Sequence, residues 1–322
     1  MMGSGLRKLA PWFEGALLAL LAAAPLLAAW TSHPFWLDLA TRLTILAIAA
    51  SALNLVLGIG GLVSFGHAAF LGMGAYAVGI PAWHALYGGA EWIASSNGLF
   101  HFALAAGAGA LFALLTGPLA LRTRGVHFIM ITMAFGQMVF YLLQSLETYG
   151  GDDGLTIDTR SELPLANLDD PAQLHWLAFA TLVAVLLLIW RLREAPFGLA
   201  LAGARTGERR MRALGFDVAR IRLAAYVLSG ALTAVAGAWL ANHAAFVSPA
   251  MTDWTRSGEL MFMVILGGAG RLLGPLTGAA AFVLLEEVLS SVTAYWHLPF
   301  GLLLIAAALW QAGAFSRKGG SP

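Results

Sequence analysis

Long apolar runs, separated by short polar or glycine-rich intervals, fill most of the chain from residue 13 to residue 313. A helix that crosses hydrocarbon needs about 20 mostly apolar residues, or about 17 at the short end. Ten runs meet or approach that length, at 13–31, 39–60, 64–86, 99–121, 126–147, 173–191, 223–245, 257–271, 274–293 and 297–313. The pattern predicts an all-α polytopic membrane protein of about ten transmembrane helices, some broken or re-entrant. The third run starts in a glycine-rich stretch and is expected to be one of the broken ones. The eighth is short and could merge with the ninth. The basic start and apolar run at the N-terminus match a signal peptide in outline. Because so many spans follow, an uncleaved first membrane helix is expected.

Composition agrees. Of 322 residues, 59% are hydrophobic and 11% charged, against about 45–50% and 25% in soluble domains. A net charge of +1 offers no bulk attraction for nucleic acid. Without cysteine there are no disulfides, thiolate metal sites or cysteine nucleophiles.

The scarce charges are unevenly placed. Residues 191–222, RLREAPFGLALAGARTGERRMRALGFDVARIR, hold eight of the 18 Lys+Arg residues. Cytoplasmic loops carry the Lys/Arg excess. With the N-terminus inside and the spans alternating, 15 of the 18 fall inside, leaving Arg42, Arg160 and Arg256 outside. Both termini and a loop of about 192–222 are then cytoplasmic. The longest outside loop, about 148–172, has six acids and one Arg. From composition alone, 191–222 reads equally as a solvated basic connector or as a docking helix for a cytoplasmic partner.

Motifs for hydrolysis or cofactor binding are missing. There is no G-x-x-x-x-G-K-[ST] and no G-x-S-x-G, and GIGGLV at 58–63 lies in an apolar run without a βαβ context. No cofactor or metal is expected. Two glycine-rich patches stand out, at 53–79 and 264–282. Both contain a Gly-Gly pair followed by another Gly, Gly60–Gly61…Gly66 and Gly267–Gly268…Gly274, which hints at an internal repeat. Small residues allow close helix packing in lipid and broken helices around a pathway. His67 lies at membrane depth, where an ionisable group marks function or bonds a nearby carbonyl. Glu286 and Glu287 interrupt the ninth span and are expected to snorkel to water. A proton-coupled transporter would need them as carriers. Arg256 and Glu259, three apart, are placed to pair.

Four blocks in order, from about residue 54 to 291, resemble one family. They are NLVLGIGGLVSFGHAAFLGMGAYA; LRTRGVHFIMITMAFGQM with GGDDGL; PFGLALAGARTGERRMRALGFDVARIRLAAYVLSGALTAVAGAWLA; and FVSPAMTDWTRSGELMFMVILGGAGRLLGPLTGAAAFVLLEEVLS. The chain resembles the integral membrane permease subunits of branched-chain amino acid ABC importers, the LivM/LivH type. It departs from the pattern at Val126 and His127, at Gln137, and at Ala204-Arg205-Thr206-Gly207. These changes bear on the cargo more than on the class.

The resemblance implies a single permease domain in a bacterial inner membrane. Its expected partners are a second homologous permease subunit, two cytoplasmic ATPase subunits, a periplasmic binding protein and the bilayer. ATP hydrolysis would sit on another chain, so no enzyme activity is expected here. The third block implies an ATPase-coupling segment of Ala204, Arg205, Glu208, Arg209, Arg210, Leu214 and Gly215. Within it, Glu208, Arg209 and Arg210 would be polar contacts, Leu214 an apolar anchor, and Gly215 the helix stop. For the translocation pathway the polar groups of the apolar spans are the candidates: Asn54, Ser64, His67, Tyr76, Thr132 and Gln137. The acidic 148–172 loop is a candidate contact for the binding protein. The alternatives are a proton-coupled secondary transporter, or a permease of the same family carrying urea, amides or another small polar solute.

Overall fold

The computed structural model describes residues 4–31, 33–164, 166–293, 295, 298–302 and 305, with side chains described from Glu14 onward. The helices in chain order are α1 (Ser4–Thr31), α2 (Pro34–Asn54), α3 (His67–Tyr87), α4 (Gly98–Ala120), α5 (Val126–Gln144), α6 (Pro171–Glu194), α7 (Pro196–Thr206), α8 (Glu208–Ala213), α9 (Val218–Ala244), α10 (Trp254–Gly267) and α11 (Gly274–Val292). One turn of π-helix, Leu55–Ile59, prolongs α2. Two short strands, β1 (Leu155–Thr156) and β2 (Phe246–Val247), pair antiparallel. Helix starts follow local chemistry. Asn97, Asp170, Asp217 and Asp253 accept from main-chain N–H groups of the first turn, and Pro171 and Pro196 open α6 and α7 where a missing N–H costs nothing.

Among the described residues, seven helices are long and apolar enough to cross a membrane, and Glu14–Trp30 of α1 forms a shorter apolar segment. The chain is an all-α polytopic membrane protein. At 1.5 Å per residue, the 14 residues of α10 reach only about 21 Å, short of a hydrocarbon core about 30 Å thick. It remains separate from α11, the two joined by the tight turn at 268–273. The expected break in the third span falls ahead of α3, in the non-helical 61–66. Most of the tenth expected span, and Arg317 and Lys318, lie outside the described residues.

The most deeply buried span is Pro34–Ile59, followed by α3 and α9. Around these three, α4, α5, α6 and α11 leave apolar faces outward, with Leu114, Leu115, Met130 and Met138 exposed, as lipid or a membrane partner requires. Backbone contact makes the α3–α9 seam. A Cβ on Gly74 would lie 1.9 Å from the Ala234 carbonyl oxygen, and one on Gly237 would lie 1.8 Å from that of Leu71. Only glycine allows helices this close, and in lipid such packing replaces the hydrophobic drive.

The connections gather at two ends. At one end, which is basic, the 60–66 break meets the α4–α5 turn, the α7–α8 segment and the 268–273 turn. At the other, β1 pairs with β2, Asn97 bridges to Glu162, and His84 bonds Tyr149 at 2.9 Å. Exposed Asp152, Asp153, Asp158, Glu162 and Asp169 make that end acidic.

Candidate functional site

The basic end is organised by one carboxylate. Glu208 Oε1 accepts from Arg124 Nη2 at 2.7 Å and from Arg212 Nη2 at 2.6 Å, and Oε2 accepts from Arg222 Nη1 at 2.9 Å. The Glu208 and Arg222 side chains are only 12% and 14% exposed. Arg222 Nη2 also donates to the Ala204 carbonyl at 3.2 Å. The α4–α5 turn, α7, α8 and the start of α9 thus share one ion cluster, with three cations on one anion.

Next to it, α7 reaches the break in the membrane helices. Arg205 Nη1 donates to the Gly58 carbonyl in the π-turn. Its stem lies so close that a Cβ on Gly61 would meet Arg205 Cγ at 2.7 Å. Gly61 has φ +70, so a side chain is excluded there on both counts. Leu201 of α7 is fully buried beside Gly60.

The seven residues expected to couple therefore divide. Ala204 is buried, while Arg205 and Glu208 turn inward to the membrane break and the ion cluster. Arg209, Arg210, Leu214 and Gly215 face outward. Within the chain, Glu208 is the shared acceptor of this ion cluster. Arg212 is its local i,i+4 partner in α8, whereas Arg124 and Arg222 come from other segments and carry no local sequence signal. Gly215 ends α8 as expected. With φ +87, it donates to Arg212 O at 3.0 Å, and Phe216 N donates to Met211 O at 3.1 Å, the paired bonds of a Schellman cap. Leu214, 67% exposed, and Phe216 then project as an apolar pair beside exposed arginines.

The six expected pathway residues do not gather on one surface. Asn54 Nδ2 donates to Arg271 O, and its Oδ1 accepts from Gly270 N, both at 2.8 Å. This carboxamide joins the two glycine-rich patches, and a Cβ on Gly58 would strike Asn54 Oδ1 at 2.0 Å and Gly270 N at 2.4 Å. Ser64 Oγ accepts from Gly66 N at 3.3 Å and bonds the Tyr226 hydroxyl, as does Thr116. His67 Nε2 meets Ser229 Oγ at 2.9 Å, and that hydroxyl donates to Ala52 O at 2.6 Å. Thr132 Oγ1 accepts from Phe65 N at 3.2 Å and donates to Ile129 O at 3.0 Å. Tyr76 is buried, with its hydroxyl unpartnered. Five of the six thus sit inside the bundle, most of them tying elements together. Only Gln137 is half-exposed, donating to Asp253 Oδ1 at 3.1 Å.

Gln137 belongs to a face the sequence reading missed. Beside it run Asp253, exposed Trp254, and the Arg256–Glu259 pair at 2.8 Å. The α5–α10 face thus presents polar groups among apolar ones. Ser257, on the same helix, accepts from Ala68 N at 2.9 Å and fixes the start of α3. The cluster of hydroxyls on α9 and α10 was the signal that could have found these residues.

Glu286 is engaged as well. Both of its oxygens accept from Arg42 Nη2 at 2.7 Å, so it pairs within the bundle where snorkelling was expected. Glu14 likewise takes Arg271.

Apolar membrane-length helices, broken at glycine-rich turns, tied by buried hydrogen bonds and capped by a basic segment seated on the break, fit a membrane transport permease. The chain belongs to the family of branched-chain amino acid transport system permease components, whose family model matches residues 35–308. It is 28% identical over 346 residues to the high-affinity branched-chain amino acid transport system permease protein LivM of Salmonella typhimurium, covering 96% of this chain and 77% of that one. The Escherichia coli LivM is 29% identical over 347 residues with the same coverage. The autoinducer 2 import system permease protein LsrC of Yersinia pseudotuberculosis is 26% identical over 219 residues, or 63% of this chain and 61% of its own. No solved structure gives a significant match.

Proposed function

We propose that this chain is one half of the translocation channel of an inner-membrane ABC importer for branched-chain or related amino acids. A second permease subunit would complete the channel. Two ATPase subunits would dock at the basic, cytoplasmic end, and a periplasmic binding protein would deliver cargo at the acidic end. The observation that carries this reading is the seating of Arg205 on Gly58 while the same segment turns Leu214 and Phe216 outward. One short segment thus touches both the membrane break and the solvent where a partner would bind.

In this reading the ATPases move α8 as they close on ATP. The Glu208 cluster makes α7, α8 and the root of α9 travel together. Arg205 passes the motion to the 58–66 break, and Asn54 passes it on to the 268–273 turn and so to α10 and α11. Such a lever needs packed elements with two discrete arrangements. The α5–α10 face is the side turned to the second subunit, because polar groups at membrane depth face a partner or a water-filled path. Gln137 and Glu259 line that path. They bind cargo only weakly, since tight binding there would slow release.

Proteoliposomes carrying the full assembly test this. Leucine uptake should require ATP, the ATPases and the binding protein, and should continue with an uncoupler present. Uptake that proceeds without ATPase subunits and collapses with the uncoupler would establish the proton-coupled alternative. If leucine fails where another solute succeeds under the same ATP dependence, the permease role stands and the cargo changes.

A further inference from the structure

A cavity of about 420 Å³ opens at the acidic end between α1, α2 and α6, away from the α5–α10 face. Its size falls within the range of small-ligand sites. One wall is apolar, made by Pro25, Ala28 and Ala29 of α1 with Leu37 of α2. Arg160 and Asp38 also line the cavity. Arg160 is one of the few cations at this end, and the fold holds it in place. Its Nε donates to Asn242 O at 2.9 Å, its Nη1 donates to Leu168 O at 3.3 Å and Asp169 O at 3.5 Å and faces the exposed Asp169 carboxylate at 3.7 Å, and Nη2 has no protein partner among the described residues. Asp38, 69% exposed, is met by His243 Nε2 at 3.4 Å. The neighbouring Asp170 is already used, capping Ala172 N and accepting from Gln173 Nε2.

A fixed cation and an available anion lining an apolar cleft recognise a zwitterion with an apolar stem. Depth selects the kind. Trp30, Phe35 and Trp36 are exposed at the α1–α2 connection, and Trp176 near the start of α6. Exposed aromatic rings of this type mark the level of lipid headgroups. We infer that this cavity binds a phospholipid with an ethanolamine headgroup. The phosphate lies against Arg160, the ammonium donates to Asp38, and an acyl chain runs along the α1 wall into the bilayer. Bound there, the lipid fastens α1 to α2 and α6. The site depends on the membrane setting of the chain and not on its cargo.

Native mass spectrometry of the intact permease assembly, released gently from bilayers of equal phosphatidylethanolamine and phosphatidylglycerol, provides the test. The wild-type chain should retain the ethanolamine lipid over the glycerol lipid by about tenfold, the scale of one charge-assisted hydrogen bond. Asp38→Asn should bring the two lipids near parity. Ala29→Phe, which alters no charged group, should remove both. The variants change different atoms, so a folding defect in one leaves the other as the test. Equal retention of both lipids by the wild type, or unchanged ratios in both variants, overturns the proposal. So does displacement of the lipid by millimolar free leucine, which would make the cavity a site for a soluble zwitterion.

Discussion

Arg205 in the cytoplasm-type segment and Gly58 in the membrane are 147 residues apart and share a charged hydrogen bond. The guanidinium stem covers Gly61 and its head ends on a carbonyl that the π-turn presents. A motion of α7 therefore has a direct handle on the end of the most buried span.

Removing that handle should uncouple transport from ATP use. Arg205→Ala is expected to lower binding-protein-dependent uptake at least tenfold, matching the worth of a hydrogen bond from a charged donor, while the assembly still forms and hydrolyses ATP. Arg205→Lys should recover little, because the shorter reach of a point charge does not replace a planar fork. Normal uptake by Arg205→Ala would show that the contact transmits nothing.

Glu208 and its neighbours Arg209 and Arg210 should respond differently when their charge is changed. Glu208→Gln leaves three arginines facing one another, one of them mostly buried, and should cost about 2–3 kcal/mol, discounted from a fully buried pair for the exposure of Arg124 and Arg212. A thermal melt of the purified permease should show that loss. Arg209→Glu, Arg210→Glu and Leu214→Ser should leave the melt unchanged and instead reduce capture of the ATPase subunits. If Glu208→Gln melts normally and only capture falls, Glu208 is a partner contact after all.

How far the sequence spoke depended on the range of the interaction. Apolar runs and the stop at Gly215 are local, and each was legible. The two glycine-rich patches could be seen as similar, but nothing in the string showed that Asn54 holds one against the other across 216 residues. Glu208 looked like a surface residue because two of its three arginines, Arg124 and Arg222, come from other segments. Polar residues in apolar spans looked like a pathway. In the structure most of them make hydrogen bonds inside the bundle, since a buried polar group in lipid takes a partner wherever the fold supplies one, and the string alone does not show which partner.

The Asn54 tie makes a steric prediction. Gly58→Ala would force a methyl into Asn54 Oδ1 and Gly270 N, an overpacking expected to cost about 1–3 kcal/mol. Asn54→Asp keeps an acceptor for Gly270 N but buries a carboxylate against the Arg271 carbonyl, so it should destabilise more than Gly58→Ala, with uptake falling as well. Melting curves and uptake measured on the same preparations separate the two effects.

Glu286 decides between ATP and proton coupling. A carboxylate that carries protons must be free to lose its counter-charge, and Arg42 holds both oxygens of this one. Glu286→Gln should therefore destabilise the permease, because Arg42 keeps a half-buried charge with a weaker partner, while ATP-driven uptake continues at a reduced level. The double variant Arg42→Gln with Glu286→Gln should restore much of the lost stability, since the unpaired charge is gone. In a proton-coupled transporter both variants would abolish accumulation without restoring it in the double. Uptake driven by ATP in the double variant settles Glu286 as a structural partner of Arg42.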